Sequence, residues 1–144
     1  AEWFGEEAEA LRQAGAEYGA ATGRPRRVGP IDLVATRYGV QIQGATEIAL
    51  TKLDVLSYMK EIPVCVQYEI HGQKTDEFPF TAVVDEAKPV FTTMPGWGCD
   101  ISGVRKWEDL PVEARNYVEY IEKAIGCHIS YVSVGASRDE YIQR

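Results

Sequence analysis

A chain of 144 residues is long enough for one domain with its own core, and at 45% hydrophobic and 26% charged residues it has the composition of a folded, water-exposed protein. The formal net charge of −7 argues against a general nucleic-acid or membrane-surface role, because both need a broad basic footprint. Three cysteines (Cys65, Cys99, Cys127) without a C-x-x-C pair suggest neither a zinc ribbon nor a disulfide framework, so a reducing, cytoplasmic setting is expected.

The first expected element is a helix over residues 2–14, with Phe4, Ala8 and Leu11 on one face, acids early and Arg12 late. Because the chain opens inside this pattern, it reads as a piece of something longer. A loop follows with glycines at 15, 19, 23 and 29 and three arginines within four positions, Arg24, Arg26 and Arg27. Residues 30–39 read as a short helix opened by Pro30 and closed by Gly39. Residues 46–51 read as a short buried strand that delivers Lys52-Leu53-Asp54 at its carboxyl end. The stretch 62–70 alternates Val64, Val66, Tyr68 and Ile70 against Cys65, Gln67 and Glu69, which is a strand. His71-Gly72 signals a tight turn, and 73–80 is expected to return as its hairpin partner. Residues 81–110, rich in Pro, Gly and Trp, read as irregular. From Pro111 to Ile125 the apolar residues Ala114, Tyr117, Val118, Ile121 and Ile125 share one helical face, with Gly126 at the end. His128–Val134 is β-branched and aromatic, hence a strand. Strands alternating with helices, plus one antiparallel hairpin, predict an α/β sheet.

Three motifs carry chemistry. In Thr51-Lys52-Leu53-Asp54, a carboxylate after a strand end can accept from both guanine N1–H and the 2-amino group. Adenine lacks both donors and would leave Asp54 unpaired at a cost of about 1–3 kcal/mol. The Lys52 stem can lie along a flat base while its ammonium caps nearby carbonyls. A solvated turn after a strand has the same spelling. The second motif is Gly23-Arg24-Pro25-Arg26-Arg27, preceded by Gly19-Ala20-Ala21-Thr22. Arginine forks bind carboxylates and phosphates. Pro25 biases Arg24 toward extended backbone, and alternate residues Arg24 and Arg26 then point to similar sides. A solvated basic turn is the competing reading. The third is Ser133-Val134-Gly135, whose backbone groups can line the edge of a base or simply end a strand. His71 and His128 lack metal-ligand spacing, and Trp97 reads as packing for the irregular segment.

Taken in order, these blocks resemble the C-terminal third of the adenylosuccinate synthetase family. Gly15–Arg27 is similar to that family's substrate loop, and Leu50-Thr51-Lys52-Leu53-Asp54-Val55-Leu56 to its guanine motif. Met94-Pro95-Gly96-Trp97, Leu110-Pro111 and Ala114-Arg115-Asn116-Tyr117 follow in the family's sequence. Ser130–Gly135 with Arg138 resembles its closing nucleotide segment.

The resemblance implies the C-terminal part of a P-loop-NTPase-like mixed sheet with flanking helices and an antiparallel hairpin. It also implies a ligase that condenses IMP with L-aspartate at the expense of GTP, giving adenylosuccinate, GDP and phosphate. By the same resemblance, Ala20, Ala21, Thr22, Gly23, Arg24, Pro25 and Arg26 would hold aspartate, with Arg24 reaching IMP and Arg26 the GTP side. Lys52, Leu53, Asp54, Ser133, Val134 and Gly135 would form the guanine pocket.

Two stretches depart from the family pattern: Ala21 stands where Thr is usual, and the last turn reads Gly-Ala-Ser-Arg rather than Gly-Pro-Asp-Arg. The family's catalytic aspartate and histidine, its phosphate loop and its magnesium ligands are expected outside this chain, since no G-x-x-x-x-G-K-[ST] cradle occurs here. The isolated chain is therefore expected to be inactive, and the whole enzyme to be a cytosolic homodimer that uses Mg2+. Two competing readings are a non-catalytic guanine-nucleotide or carboxylate binding module and a switch GTPase; the missing phosphate loop disfavours the second.

Overall fold

The computed structural model describes all residues, Ala1–Arg144, as two small sheets and three α-helices around a shared core. Helix α1 spans Gly5–Ala14, with Glu6 and Glu7 in its first turn and Arg12 in its last, so residues 1–4 precede the helix rather than form part of it. The expected apolar face is only partly used, because Ala8 is buried while Phe4, standing before the first turn, is 77% exposed. Helix α2, Leu33–Gln43, starts later and runs further than expected. Asp32 caps it by accepting from the Ala35 N–H at 3.0 Å. Gly44, not Gly39, supplies the left-handed residue that ends it.

Strand β1 is Glu47–Leu50. It is half-exposed rather than buried, since its one partner is β5, His128–Ser133, which leaves the other edge open. The two strands are parallel, with Leu50 opposite Val132. The third strand of this mixed sheet is β6, Tyr141–Gln143, antiparallel to β5. It lies in a tail too short and polar to be read as a strand.

The second sheet is antiparallel, ordered β3-β2-β4. Strand β2 is Glu61–Ile70 and turns through His71 (φ 51°) and Gly72 (φ 79°) into β3, Gln73–Thr75. The hairpin's return strand is thus far shorter than the expected 73–80. The long partner is β4, Lys88–Pro95, inside the stretch read as irregular. Its Pro89 and Pro95 hid it, yet both are tolerated because β4 is an edge strand.

A register shift between Cys65 and Gln67 also overrides the simple alternation in β2. Val64 enters the main core, whereas Tyr68, of the same parity, joins Cys65 and Val34 in a separate cluster. A bulge inserts one extra residue and swaps the faces beyond it.

Helix α3, Val112–Ile125, buries the face expected of it: Ala114, Tyr117, Val118, Ile121 and Ile125. These residues pack with Ile129, Val132, Val134 and Ile142 of the mixed sheet. Each fully buried Ile or Val contributes roughly 1.5–3 kcal/mol, and the cluster fixes the strands on which the polar motifs stand. Trp97 is buried against Tyr117 and donates from Nε1 to Ser57 Oγ at 2.9 Å. No helix is long and apolar enough to cross a membrane.

Candidate functional site

Thr51 directly follows β1 and Ser133 closes β5, so the first and third motifs leave the same end of two neighbouring parallel strands. In open α/β sheets this end is where ligands collect. The junction is a direct bond: the Lys52 N–H donates to Ser133 Oγ at 2.7 Å. Lys52 sits in the left-handed region, φ 62° and ψ 37°. For a residue with a Cβ this costs about 1–2 kcal/mol, so the surrounding contacts hold the turn in place.

Beyond Lys52 the chain coils into a 3-10 turn, Leu53–Tyr58. Leu53 is buried in the core and anchors the turn, while Asp54 follows it. Asp54 Oδ1 is fully buried yet accepts no hydrogen bond within the chain. An unpartnered buried acceptor costs about 1–3 kcal/mol, which makes this oxygen the most conspicuous unmet polar group on the strand-end face.

The third motif contributes less backbone than its sequence promised. The Val134 N–H is already taken by the Glu140 carbonyl at 2.9 Å, whereas the Gly135 N–H has no backbone partner. Glu140 folds back on this turn; its carboxylate accepts from the Ser137 N–H at 2.7 Å. A Cβ at Gly135 would lie 2.2 Å from Glu140 Oε2, so any side chain here would push the Glu140 carboxylate aside.

The arginine loop is a hairpin-like excursion. Its neck is closed by the bridge between Tyr18 and Pro25 and by the Arg26 N–H donating to the Glu17 carbonyl at 3.0 Å. At the tip, the Gly19 N–H donates to the Arg24 carbonyl (2.8 Å) and the Gly23 N–H to the Gly19 carbonyl (2.8 Å). Thr22 Oγ1 accepts from the Arg24 N–H at 3.3 Å, so this hydroxyl serves the loop itself. Ala20–Arg27 are all exposed.

The three arginines differ sharply. Arg27 is paired with Glu2 and Arg26 donates to Glu17 at 2.9 Å, whereas Arg24 has no ion pair. Arg12 of α1 supports the neck by donating from Nε to the Arg26 carbonyl at 3.0 Å.

The Lys52 ammonium donates to the Gly15 carbonyl at 2.8 Å, the carbonyl cap anticipated for it, and also pairs with Glu17. Glu17 thereby joins two motifs that are separate in the sequence. Its hydrogen bonds from Lys52 and then from Arg26 hold its carboxyl below the ordinary 4.5. A cavity of about 440 Å3 opens beside this junction, with Glu17, Arg26, Thr51 and Lys52 on its wall; Asp54, Ser133, Gly135 and Arg24 lie outside it. Glu17 and Glu140 were not singled out from sequence. Glu17 stood within the glycine–arginine stretch, but its link to Lys52 depends on tertiary structure.

His71 pairs with Glu86, and His128 Nδ1 lies 2.9 Å from Glu122 Oε2. No group of three His, Cys, Asp or Glu side chains converges as a metal site would require.

Parallel strands that present a cationic turn and an unmet carboxylate at one shared end define an α/β protein with a polar strand-end face. The family described as adenylosuccinate synthetase matches residues 1–142, and the chain belongs to that family. An adenylosuccinate synthetase of Bifidobacterium adolescentis is 50% identical over 143 residues, and one of Micrococcus luteus 48%; each alignment covers 99% of this chain and 33% of the relative. The solved structure of fully ligated adenylosuccinate synthetase from Plasmodium falciparum superposes with a TM-score of 0.93 at 34% identity, covering 99% of this chain and 35% of that one. The mixed α/β fold is therefore that of the family, and the chain spans about a third of the length of the relatives it matches.

Proposed function

We propose that this chain supplies the guanine-selecting pocket and the aspartate-binding arginine loop of a ligase that joins IMP to L-aspartate. In that reaction GTP phosphorylates IMP O6. The aspartate nitrogen then displaces the phosphate, leaving adenylosuccinate, GDP and phosphate. The observation that carries the reading is the Asp54 carboxylate, which takes no hydrogen bond within the chain, on a turn bonded to Ser133. Guanine N1–H and its 2-amino group are donors suited to that carboxylate, and adenine would face it with a lone pair instead. Lys52 and Leu53 shape the pocket floor, and Ser133, Val134 and Gly135 form its far edge.

The arginine loop suits a dicarboxylic substrate. Arg24 is exposed and free of ion pairs, while Arg26 keeps Nε and Nη2 for a ligand after giving Nη1 to Glu17. Exposed backbone from Ala20 to Pro25 allows close approach of a small molecule. The mixed sheet is read as part of a P-loop-NTPase-like core from the C-terminal third of the enzyme, a placement supported by the order of the motifs. Magnesium would neutralise phosphate charge during the transfer. By the family resemblance its ligands, with the catalytic acid and base, are assigned to the rest of the enzyme. We read the whole enzyme as a cytoplasmic homodimer and the 144-residue chain alone as inactive.

The test is nucleotide use by the whole enzyme in a coupled assay for adenylosuccinate. GTP should support the reaction and ATP should not. Equal rates with ATP would contradict the reading, and so would product formation by the 144-residue chain alone.

A further inference from the structure

The guanine motif and the arginine loop are 35 residues apart at Lys52 and Glu17, yet a single carboxylate holds them together. Glu17 Oε1 pairs with the Lys52 ammonium, and Oε2 accepts from Arg26 Nη1 at 2.9 Å. The main chain of Glu17 is fixed on both sides: its N–H donates to the Arg12 carbonyl at 2.8 Å, and its carbonyl accepts from the Arg26 N–H at 3.0 Å. Its side chain is 22% exposed, against 54% for Arg26 and 46% for Lys52, so the acid forms the inner member of the set. All three residues also reach the wall of the same cavity. Among the loop arginines only Arg26 is tied to the guanine motif, because Arg27 pairs away with Glu2 and Arg24 is unpaired.

We propose that Glu17 is a positioning residue that couples the two substrate sites, setting Arg26 for aspartate and Lys52 for the guanine base through one shared carboxylate. Without this charge the two cations would repel each other, and both turns would lose their common anchor. Glu17 touches neither substrate; it acts by fixing groups that do. A defect on either side of the carboxylate should therefore be felt on the other.

The proposal rests on the site reading above, so the experiment runs Asp54→Asn in parallel. In the whole enzyme, Glu17→Gln should raise KM for both L-aspartate and GTP by about tenfold while kcat changes less than about threefold. Glu17→Asp, which keeps the charge on a shorter arm, should give a smaller rise in both constants. A residue that only braces the fold would lower the melting temperature and leave both KM values in place; that result would overturn the proposal, as would a change confined to one substrate. If Glu17→Gln does not fold, Lys52→Met provides the cross-test: it should raise KM for aspartate although Lys52 lies on the guanine side, and an unchanged aspartate KM would overturn the proposal. An Asp54→Asn variant with unaltered nucleotide preference would sink the guanine-pocket reading, whereas altered preference with a silent Glu17→Gln would sink only the coupling.

Discussion

Lys52 and Ser133, 81 residues apart in sequence, are joined by a 2.7 Å hydrogen bond from the Lys52 N–H to the serine hydroxyl. This bond ties the turn after β1 to the end of β5 and holds a left-handed, non-glycine residue next to the unpaired Asp54 carboxylate. Ser133→Ala leaves that N–H without its acceptor. Unfolding free energy of the chain should fall by about 1–2 kcal/mol, read as a lower urea midpoint, and KM for GTP in the whole enzyme should rise. An unchanged midpoint would mean that water replaces the hydroxyl at no cost.

Gly135 packs on Glu140 so closely that an added methyl would meet Oε2 at 2.2 Å and Cδ at 2.5 Å. Gly135→Ala should displace the carboxylate from the Ser137 N–H and destabilise by about 0.5–1.5 kcal/mol, the worth of one hydrogen bond. Adding Glu140→Ala removes the two nearest atoms, so the double variant should be less destabilised than the sum of the singles. Simple additivity in a double-mutant cycle would contradict this contact.

Ala21 stands at the exposed loop tip, where the family resemblance implies a threonine. On the proposed aspartate site, Ala21→Thr adds a hydroxyl that can donate to the substrate carboxylate. KM for aspartate should drop by about twofold to tenfold, the range of one hydrogen bond, with KM for GTP unchanged. Steady-state kinetics at saturating GTP and IMP measure it. Arg24→Leu is the converse change and should mainly raise the aspartate requirement.

Glu122 stitches α3 to β5 and the end of the chain. Burial raises its pKa, but the Ile129 N–H (2.7 Å), Arg144 (2.8 Å) and His128 (2.9 Å) outweigh this, and the net shift is below 4.5. A carboxyl with a depressed folded pKa contributes stability that is present above its unfolded value and lost as pH falls through the folded one. The chain should therefore lose stability as the solution is acidified below about pH 4.5, and Glu122→Gln should flatten that part of the curve. Equal acid sensitivity in thermal melts of the two proteins would refute the assignment.

Helix α3 and strands β2 and β5 were legible because each follows one rule over enough residues: a single apolar face from Ala114 to Ile125, or a β-branched run. Strand β4 was not, since two prolines mimic irregular structure and its exposed edge permits them. The face change in β2 was equally hidden, because a bulge between Cys65 and Gln67 leaves no mark in an alternating pattern. Local motifs singled out Asp54, Arg24 and Ser133, and the fold joins the turn that carries Asp54 to Ser133. Glu17 and Glu140 act through contacts that only the folded chain creates: Glu17 reaches Lys52, and Glu140 turns back on Gly135. Val134 illustrates the opposite case, with an N–H that sequence reading left free and the fold uses internally.

The most direct measurement is kcat/KM for GTP and for xanthosine triphosphate, compared between the unmodified whole enzyme and Asp54→Asn. The amide offers a donor to a 2-keto group and an unsuitable partner to the 2-amino group of guanine. The account predicts that the variant's preference for GTP over xanthosine triphosphate falls by at least about tenfold, the equivalent of 1.4 kcal/mol. An identical ratio in the two proteins would contradict it.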